Sequence, residues 1–214
     1  MSLAARKLQR YVEERKVMGN LDNQRIAILV ANGFEQVELT EPKKALEQVG
    51  ATTDIVSPES GKVRGWNHTE WGADFTVDVP LDRASAKDYA ALLLPGGVMN
   101  PDKLRRNEKA LNFVREFFAT GKPVAAICHA PWTLIDAGAV RGRKMTSYHS
   151  IQMDLKNAGA NWVDQEVVVD AGLVTSRQPS DIPAFNRKMI EEFEEGIHGG
   201  QIAEFGERIH VPSR

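Results

Sequence analysis

Lys122-Pro123-Val124-Ala125-Ala126-Ile127-Cys128-His129-Ala130-Pro131-Trp132-Thr133-Leu134-Ile135-Asp136-Ala137-Gly138 is the stretch on which the fold turns. Val124 to Ile127 is an apolar run of the length of a buried parallel strand, and Pro131 suits the first turn of a helix. Cys128, the only cysteine, then falls on the sharp turn between the two. Its sulfur would face the positive end of the helix dipole, which favours a thiolate. The same geometry presents the serine of the nucleophile elbow in hydrolases. Cys-His by itself does not separate a nucleophile from a small buried thiol, because reactivity depends on surroundings that two residues do not show.

Upstream, Arg25-Ile26-Ala27-Ile28-Leu29-Val30 is a nearly unbroken apolar run, as expected of a strand covered on both faces. Ala31 to Phe34 turns the chain, and Glu35 to Glu38 leads into a helix reaching about Val49, with Thr40 a candidate cap and Pro42 in its first turn. Gly50 closes it and Thr52 to Val56 is a second strand, so the unit is a right-handed parallel βαβ. Between Gly61 and Pro80, alternating Phe75, Val77 and Val79 predict a hairpin or edge strand, with Trp66 and Trp71 as packing residues. Ser85 to Tyr89 reads as a short helix or turn. Ala90 to Leu94 is a third core strand, ending in Pro95-Gly96-Gly97. From Asn107, a candidate cap, Leu111, Val114 and Phe118 recur at helical spacing up to Gly121.

Downstream, Gly142 to Tyr148 carries a strand, Ser150 to Ala158 a helix, and Glu166 to Ser176 a hairpin turning at Asp170 to Gly172. A closing helix runs from Ser180 or Asp181 to about Gly196, with Ile182, Phe185, Met189, Ile190 and Phe193 as its apolar face. This alternation predicts an α/β protein, a flavodoxin-like three-layer α/β/α sandwich with a mostly parallel central sheet. No repeat or low-complexity linker divides it. One domain is expected over residues 25–197, with a polar extension at 1–24, whose Leu8, Tyr11, Val12 and Val17 form a weak stripe, and a tail at 198–214.

The 214 residues suffice for a sizeable core, and 42% hydrophobic with 26% charged residues is the balance of a soluble globular chain. A net charge of -2 argues against nucleic acid as the main partner. One cysteine excludes an internal disulfide and a Cys-rich zinc site. No metal and no cofactor are expected. No apolar run reaches the ~20 residues that span a bilayer, and the N-terminus lacks the apolar centre of a secretory signal. A reducing cytoplasm is the expected compartment.

In an open α/β sheet, ligands bind beyond the carboxyl ends of the strands at a topological switch point. Asn32 to Glu38, Pro95 to Gly97 and Cys128-His129 all end at that edge. Gly96 and Gly97 admit close approach, so their amides, with that of His129, could form an oxyanion hole, although Pro-Gly-Gly alone is also an ordinary tight turn. Glu38 could reach the sulfur; a protonated carboxyl would support a thiolate, which requires a raised pKa. His129 is the candidate base. Neighbours on a tight turn usually point apart, so it is expected to act on substrate or leaving group, with a third group orienting its ring. His149 is a candidate substrate-facing residue.

At this point the sequence resembles the PfpI branch of the DJ-1/PfpI superfamily, from about Arg25 to Ile197. The pieces that carry the resemblance are Ala31-Asn32-Gly33-Phe34-Glu35-Gln36-Val37-Glu38-Leu39, Leu92-Leu93-Leu94-Pro95-Gly96-Gly97, Ala126-Ile127-Cys128-His129-Ala130-Pro131, Gly142 to Tyr148 and Trp162 to Asp170. The resemblance implies that Cys128 is the elbow nucleophile and Glu38 the carboxyl touching it, with His129 the triad histidine of members described as intracellular cysteine peptidases. In those members a neighbouring subunit supplies an acid just after the Pro-Gly-Gly turn. The matching position is Asp102, an aspartate for the usual glutamate in a loop one residue longer. The fold is also similar to class I glutamine amidotransferase domains, without their second histidine-glutamate pair.

The resemblance further implies a homo-oligomer, a dimer or a dimer-based hexamer, and substrates among small carbonyl compounds, glycated proteins or peptides. Members similar to this chain are described as peptidases, chaperones, glyoxalases, deglycases and stress or redox sensors. The common chemistry is a thiolate attacking a carbonyl, giving a hemithioacetal from an aldehyde or an acyl-enzyme from a peptide. The alternative is a non-enzymatic stress or redox sensor, or a chaperone, whose Cys128 is oxidised with little turnover.

Overall fold

The computed structural model describes residues 20–202 and Phe205; the stripe expected at Leu8 to Val17 lies outside the described residues. In chain order, β1 (Arg25–Leu29), β2 (Phe34–Glu35), α1 (Gln36–Gln48) and β3 (Thr52–Ser57) form the first βαβ unit. A hairpin of β4 (Lys62–Asn67) and β5 (Glu70–Thr76) precedes the short β6 (Val79–Pro80) and β7 (Ala91–Leu94). Then come α2 (Met99–Leu104), α3 (Glu108–Ala119), β8 (Val124–Ile127), α4 (Pro131–Asp136), β9 (Lys144–Met145) and α5 (Gln152–Asn157). The chain continues through β10 (Asn161–Trp162), β11 (Val167–Asp170), β12 (Leu173–Ser176) and α6 (Ile182–Glu195).

The main sheet has seven strands in the order β11-β12-β8-β7-β1-β3-β6. All its pairs are parallel except β11 with β12. Side chains of β1 alternate between two cores, as period two requires. Ile26 and Ile28 join Leu39 and Leu46 of α1 and Phe185, Met189 and Phe193 of α6. Ala27 and Leu29 join Val114, Phe117 and Phe118 of α3, Leu134 of α4 and Leu155 of α5. Helices on both faces explain why β7 and β8, and β1 after Arg25, are apolar throughout rather than alternating. The α/β sandwich expected from the sequence is therefore present.

Local chemistry sets several boundaries. Asn107 caps α3, its Oδ1 accepting from the amides of Lys109 at 3.0 Å and Ala110 at 3.2 Å. Ala171 (φ 45°) and Gly172 (φ 83°) make the tight turn of the β11–β12 hairpin, both positive as a type I′ turn demands.

Other boundaries depart from expectation. α1 starts at Gln36, with Glu35 rather than Thr40 at the N-cap position and no side-chain cap bond, and Pro42 lies inside it. Pairing of β2 with β4 delivers the chain in helical register five residues early, and the missing Pro42 N–H costs one bond to the Glu38 carbonyl. The helix α2 is absent from the sequence reading. Trp66 and Trp71 pack edge to face on each other at 5.5 Å, on the separate β2–β4–β5 sheet, and Trp71 is 45% exposed, so neither extends the core. Beyond Ile197 the chain lies against the domain: Gln201 is buried and donates to the Lys122 carbonyl at 2.7 Å, and the Phe205 ring stacks on Phe118. Among the described residues no helix is long and apolar enough to cross a membrane.

Candidate active site

The chain leaves β1 for β3 on one side, then crosses to β7 on the other, so a switch point lies between β1 and β7, next to β8. The three segments expected to converge meet there. Cys128 follows β8 at φ 63°, a left-handed conformation that costs a non-glycine residue about 1–2 kcal/mol. Two bonds hold it: the Cys128 amide donates to the Ser176 carbonyl at 3.0 Å, and its carbonyl accepts from the Tyr148 amide at 2.9 Å. A strained turn fixed from two other segments is the geometry of a nucleophile elbow.

Glu38, in the first turn of α1, is wholly buried, and its Oε2 accepts from the Gly96 amide at 2.8 Å. Its Oε1 is buried without a hydrogen bond. Burial pushes the carboxyl up to about 8 against the pull of the Cys128 thiol and the Gly96 amide, so Glu38 carries a proton at neutral pH. That is the state required of a carboxyl beside a thiolate. Burial also pushes the Cys128 thiol well above its ordinary range, a charged Glu38 would add to this, and the Gly97 and His129 amides pull the other way. Burial of a residue 6% exposed therefore opposes the thiolate that the N-terminus of the six-residue α4 would favour.

The His129 ring does not point away from its neighbour. It folds back, with Nδ1 3.1 Å from Cys128 Sγ and Nε2 3.0 Å from Ser150 Oγ. Tyr148 stacks on it at 4.8 Å and Trp132 meets its edge at 5.4 Å, so aromatic packing overrides the usual divergence of adjacent side chains. Burial, with a smaller contribution from His149, pushes the imidazole down to about 4. It is neutral at pH 7 and can accept a thiol proton.

Asp102 lies exposed on α2, and among the described residues the side chain at His129 Nε2 is Ser150 instead. His149 is exposed, 4.4 Å from the Tyr148 ring, at the outer end of a His129–Tyr148–His149 stack.

The Gly96 amide is not available to an oxyanion, because Glu38 holds it. This narrows the expected three-amide hole to the Gly97 and His129 amides, which pull the Cys128 thiol down. Both glycines are sterically required. A Cβ on Gly96 would stand 2.6 Å from the Ile127 carbonyl oxygen and 2.8 Å from Cys128 Cβ, and one on Gly97 (φ 76°) 2.6 Å from the Glu35 amide nitrogen.

Sequence reasoning missed Ser150, Tyr148 as a ring support, and Asn100. The last is fully buried. Its Oδ1 accepts from the Ala31 amide at 2.7 Å, and its Nδ2 donates to the Pro95 and Gly96 carbonyls at 2.8 and 3.2 Å. The extra residue after Pro-Gly-Gly was the one available signal. A cavity of about 610 Å³ lined by Ser57, Glu59, Arg83 and Lys109 among others includes none of these residues. Glu192, Glu195 and His198 have metal-ligand spacing, their donor atoms within 4.8 Å of one another, but none belongs to this cluster.

A sequence model of the DJ-1/PfpI family matches residues 24–192. General stress protein 18 of Bacillus subtilis is 46% identical over 168 residues, 78% of this chain and 95% of that protein. Protein/nucleic acid deglycase 2 of Escherichia coli is 43% identical over 169 residues, 78% of this chain and 96% of that protein. A crystal structure of a two-domain protein of Anabaena variabilis, containing DJ-1/ThiJ/PfpI-like and ferritin-like domains, superposes with a TM-score of 0.74 at 34% identity. That match covers 78% of this chain and 49% of the longer one. With these matches, the three-strand switch point and the Cys128 elbow, the chain belongs to the DJ-1/PfpI family.

Proposed function

We propose that this chain is a cysteine-dependent enzyme of carbonyl-damage repair, acting on the adducts that small α-oxoaldehydes form with amino groups. The observation that carries the reading is the 3.1 Å approach of Cys128 Sγ to Nδ1 of a neutral His129. His129 takes the thiol proton as sulfur attacks the carbonyl carbon, and the resulting oxyanion accepts from the Gly97 and His129 amides. Glu38, protonated at neutral pH, adds a hydrogen-bond donor at the same centre. In the adduct the C–N bond breaks as the carbinol hydroxyl passes its proton to nitrogen, freeing amine and aldehyde. Sulfur adds to that aldehyde to give a hemithioacetal, and His129 or Glu38 moves a proton between its two carbons to give a lactoyl thioester. Water hydrolyses this to lactate and the free thiol.

A sulfur in a residue only 6% exposed favours a small carbonyl group over an extended peptide backbone, and so favours the deglycase or glyoxalase type over the peptidase type. The names of the two relatives point the same way: one is a stress protein, the other a deglycase. The sensor reading is less well supported, since burial and an upward-shifted thiol both slow oxidation. The reading uses no cofactor or metal. It places the chain in the cytoplasm as a homo-oligomer, in which Asp102 of one copy approaches His129 of another beside Ser150. The test is release of lactate and free amine from methylglyoxal-treated N-acetyl-lysine. Wild type is expected to release both and Cys128→Ala neither; equal release by the two proteins would end the proposal.

A further inference from the structure

The Gly96–Gly97 peptide stands beside Cys128: a Cβ on Gly96 would lie 2.8 Å from Cys128 Cβ, and the Gly97 amide is among the groups that pull the thiol down. In a trans peptide the carbonyl and N–H point in opposite directions, so fixing the Gly96 oxygen aims the Gly97 hydrogen. Its orientation depends on ψ of Gly96 and φ of Gly97, and glycine has little steric preference at either, so the plane could turn over at small cost. Contacts from outside the turn must hold it. Two donors do: the Glu35 amide at 3.3 Å and Asn100 Nδ2 at 3.2 Å, both on the Gly96 oxygen.

Asn100 suits this task. It is fully buried, and each of its polar atoms has a fixed role. Oδ1 faces the Ala31 N–H and Nδ2 faces two carbonyls, so its amide has one self-consistent orientation. The bond to Ala31, just beyond β1, ties the turn after β7 to the neighbouring strand. Asn100 also sits in α2, in the segment between Pro-Gly-Gly and Asp102 that is one residue longer than the resemblance leads one to expect.

We propose that Asn100 is a positioning residue that locks the Gly96–Gly97 peptide with its N–H aimed at sulfur and oxyanion. This rests on the reading of Cys128 as the nucleophile. The test compares Asn100→Ala, which removes all three bonds, with Asn100→Asp. The aspartate keeps the acceptor for Ala31 and the volume but loses the amide donor to the carbonyls. Two readouts are taken on protein checked for wild-type circular dichroism: kcat and KM for lactate release, and the pH dependence of Cys128 alkylation by iodoacetamide.

Both variants are expected to lower kcat by about 10- to 100-fold with KM little changed, less than the ~100- to 1,000-fold for removing an oxyanion donor outright, because the Gly97 N–H is misaimed rather than lost. Both should also move the alkylation midpoint to higher pH, because the Gly97 N–H no longer points at the thiolate. A wild-type pH profile in Asn100→Asp would overturn the proposal, since the tie to Ala31 would then suffice, and so would unchanged kcat and profile in both. Should Asn100→Ala not fold, Asn100→Asp decides alone. If wild type itself releases no lactate, the proposed function fails, while the alkylation profile still decides the role of Asn100.

Discussion

Replacing Glu38 by Gln tests the electrostatics of the site without disturbing its shape. Glutamine keeps an oxygen for the Gly96 amide and has no charge to bury. The wild-type carboxyl is pushed up from 4.5 to about 8 by burial. At about 1.36 kcal/mol per pH unit, that difference corresponds to about 5 kcal/mol. The sign follows from proton counting. Below pH 4.5 both folded and unfolded chains hold the proton, and the full contribution to stability is present. Between 4.5 and 8 the folded protein keeps a proton that the unfolded chain gives up, so wild-type stability falls as pH rises. Glu38→Gln lacks this slope. Urea unfolding of both proteins at pH 5, 6, 7 and 8 isolates Glu38, because the other titrating groups largely cancel in the difference. The variant should gain on wild type by about 1.4 kcal/mol per pH unit, up to several kcal/mol by pH 8. A difference that stays constant over this range would refute the reasoning. The carboxyl would then be ionised in the folded protein and unable to donate toward sulfur.

Other outcomes follow from the same geometry. The His129 ring protons should titrate by NMR near 4 rather than near 6.5; a midpoint above 6 would mean the imidazole is charged at the working pH and is no general base. Gly96→Ala drives a Cβ to within 2.6 Å of the Ile127 carbonyl oxygen, backbone that cannot easily move; it should cost about 1–3 kcal/mol of unfolding free energy and most of the activity, and near-wild-type values would show the turn to be looser than described. Asp102→Asn should lower kcat in the assembled protein while leaving assembly intact by sedimentation. A wild-type kcat, or a monomer, would leave Ser150 as the group that holds His129.

The fold was legible where one local signal dominated. β1 and β8 are short apolar runs, Asn107 is a side-chain cap, and Asp170 to Gly172 carries the glycine that a tight turn needs. Cys128 was legible because a strand, a turn and Pro131 stand in the order of an elbow. What failed depended on tertiary contacts. The start of α1 is set by pairing of β2 with β4, not by Thr40 or Pro42. The fold-back of His129 needs the rings of Tyr148 and Trp132, neither adjacent to it in sequence. The loss of the Gly96 amide to Glu38, and Asn100 beneath the turn, arise only once β1 and β7 lie side by side.

The bonds that fix the Cys128 backbone come from Ser176 and Tyr148, both later in the chain than the cysteine itself. As the protein emerges from the ribosome, β1, β3 and β7 can pair before Cys128 has been made, yet the turn that bears it stays unfastened until β12 is complete. Until then the thiol lacks the burial that pushes it up in the folded protein and stands open to electrophiles. A nascent chain thus passes through a window of vulnerability to the class of compound that the finished protein is proposed to remove, and closure of β12 beside β8 is the event that ends it.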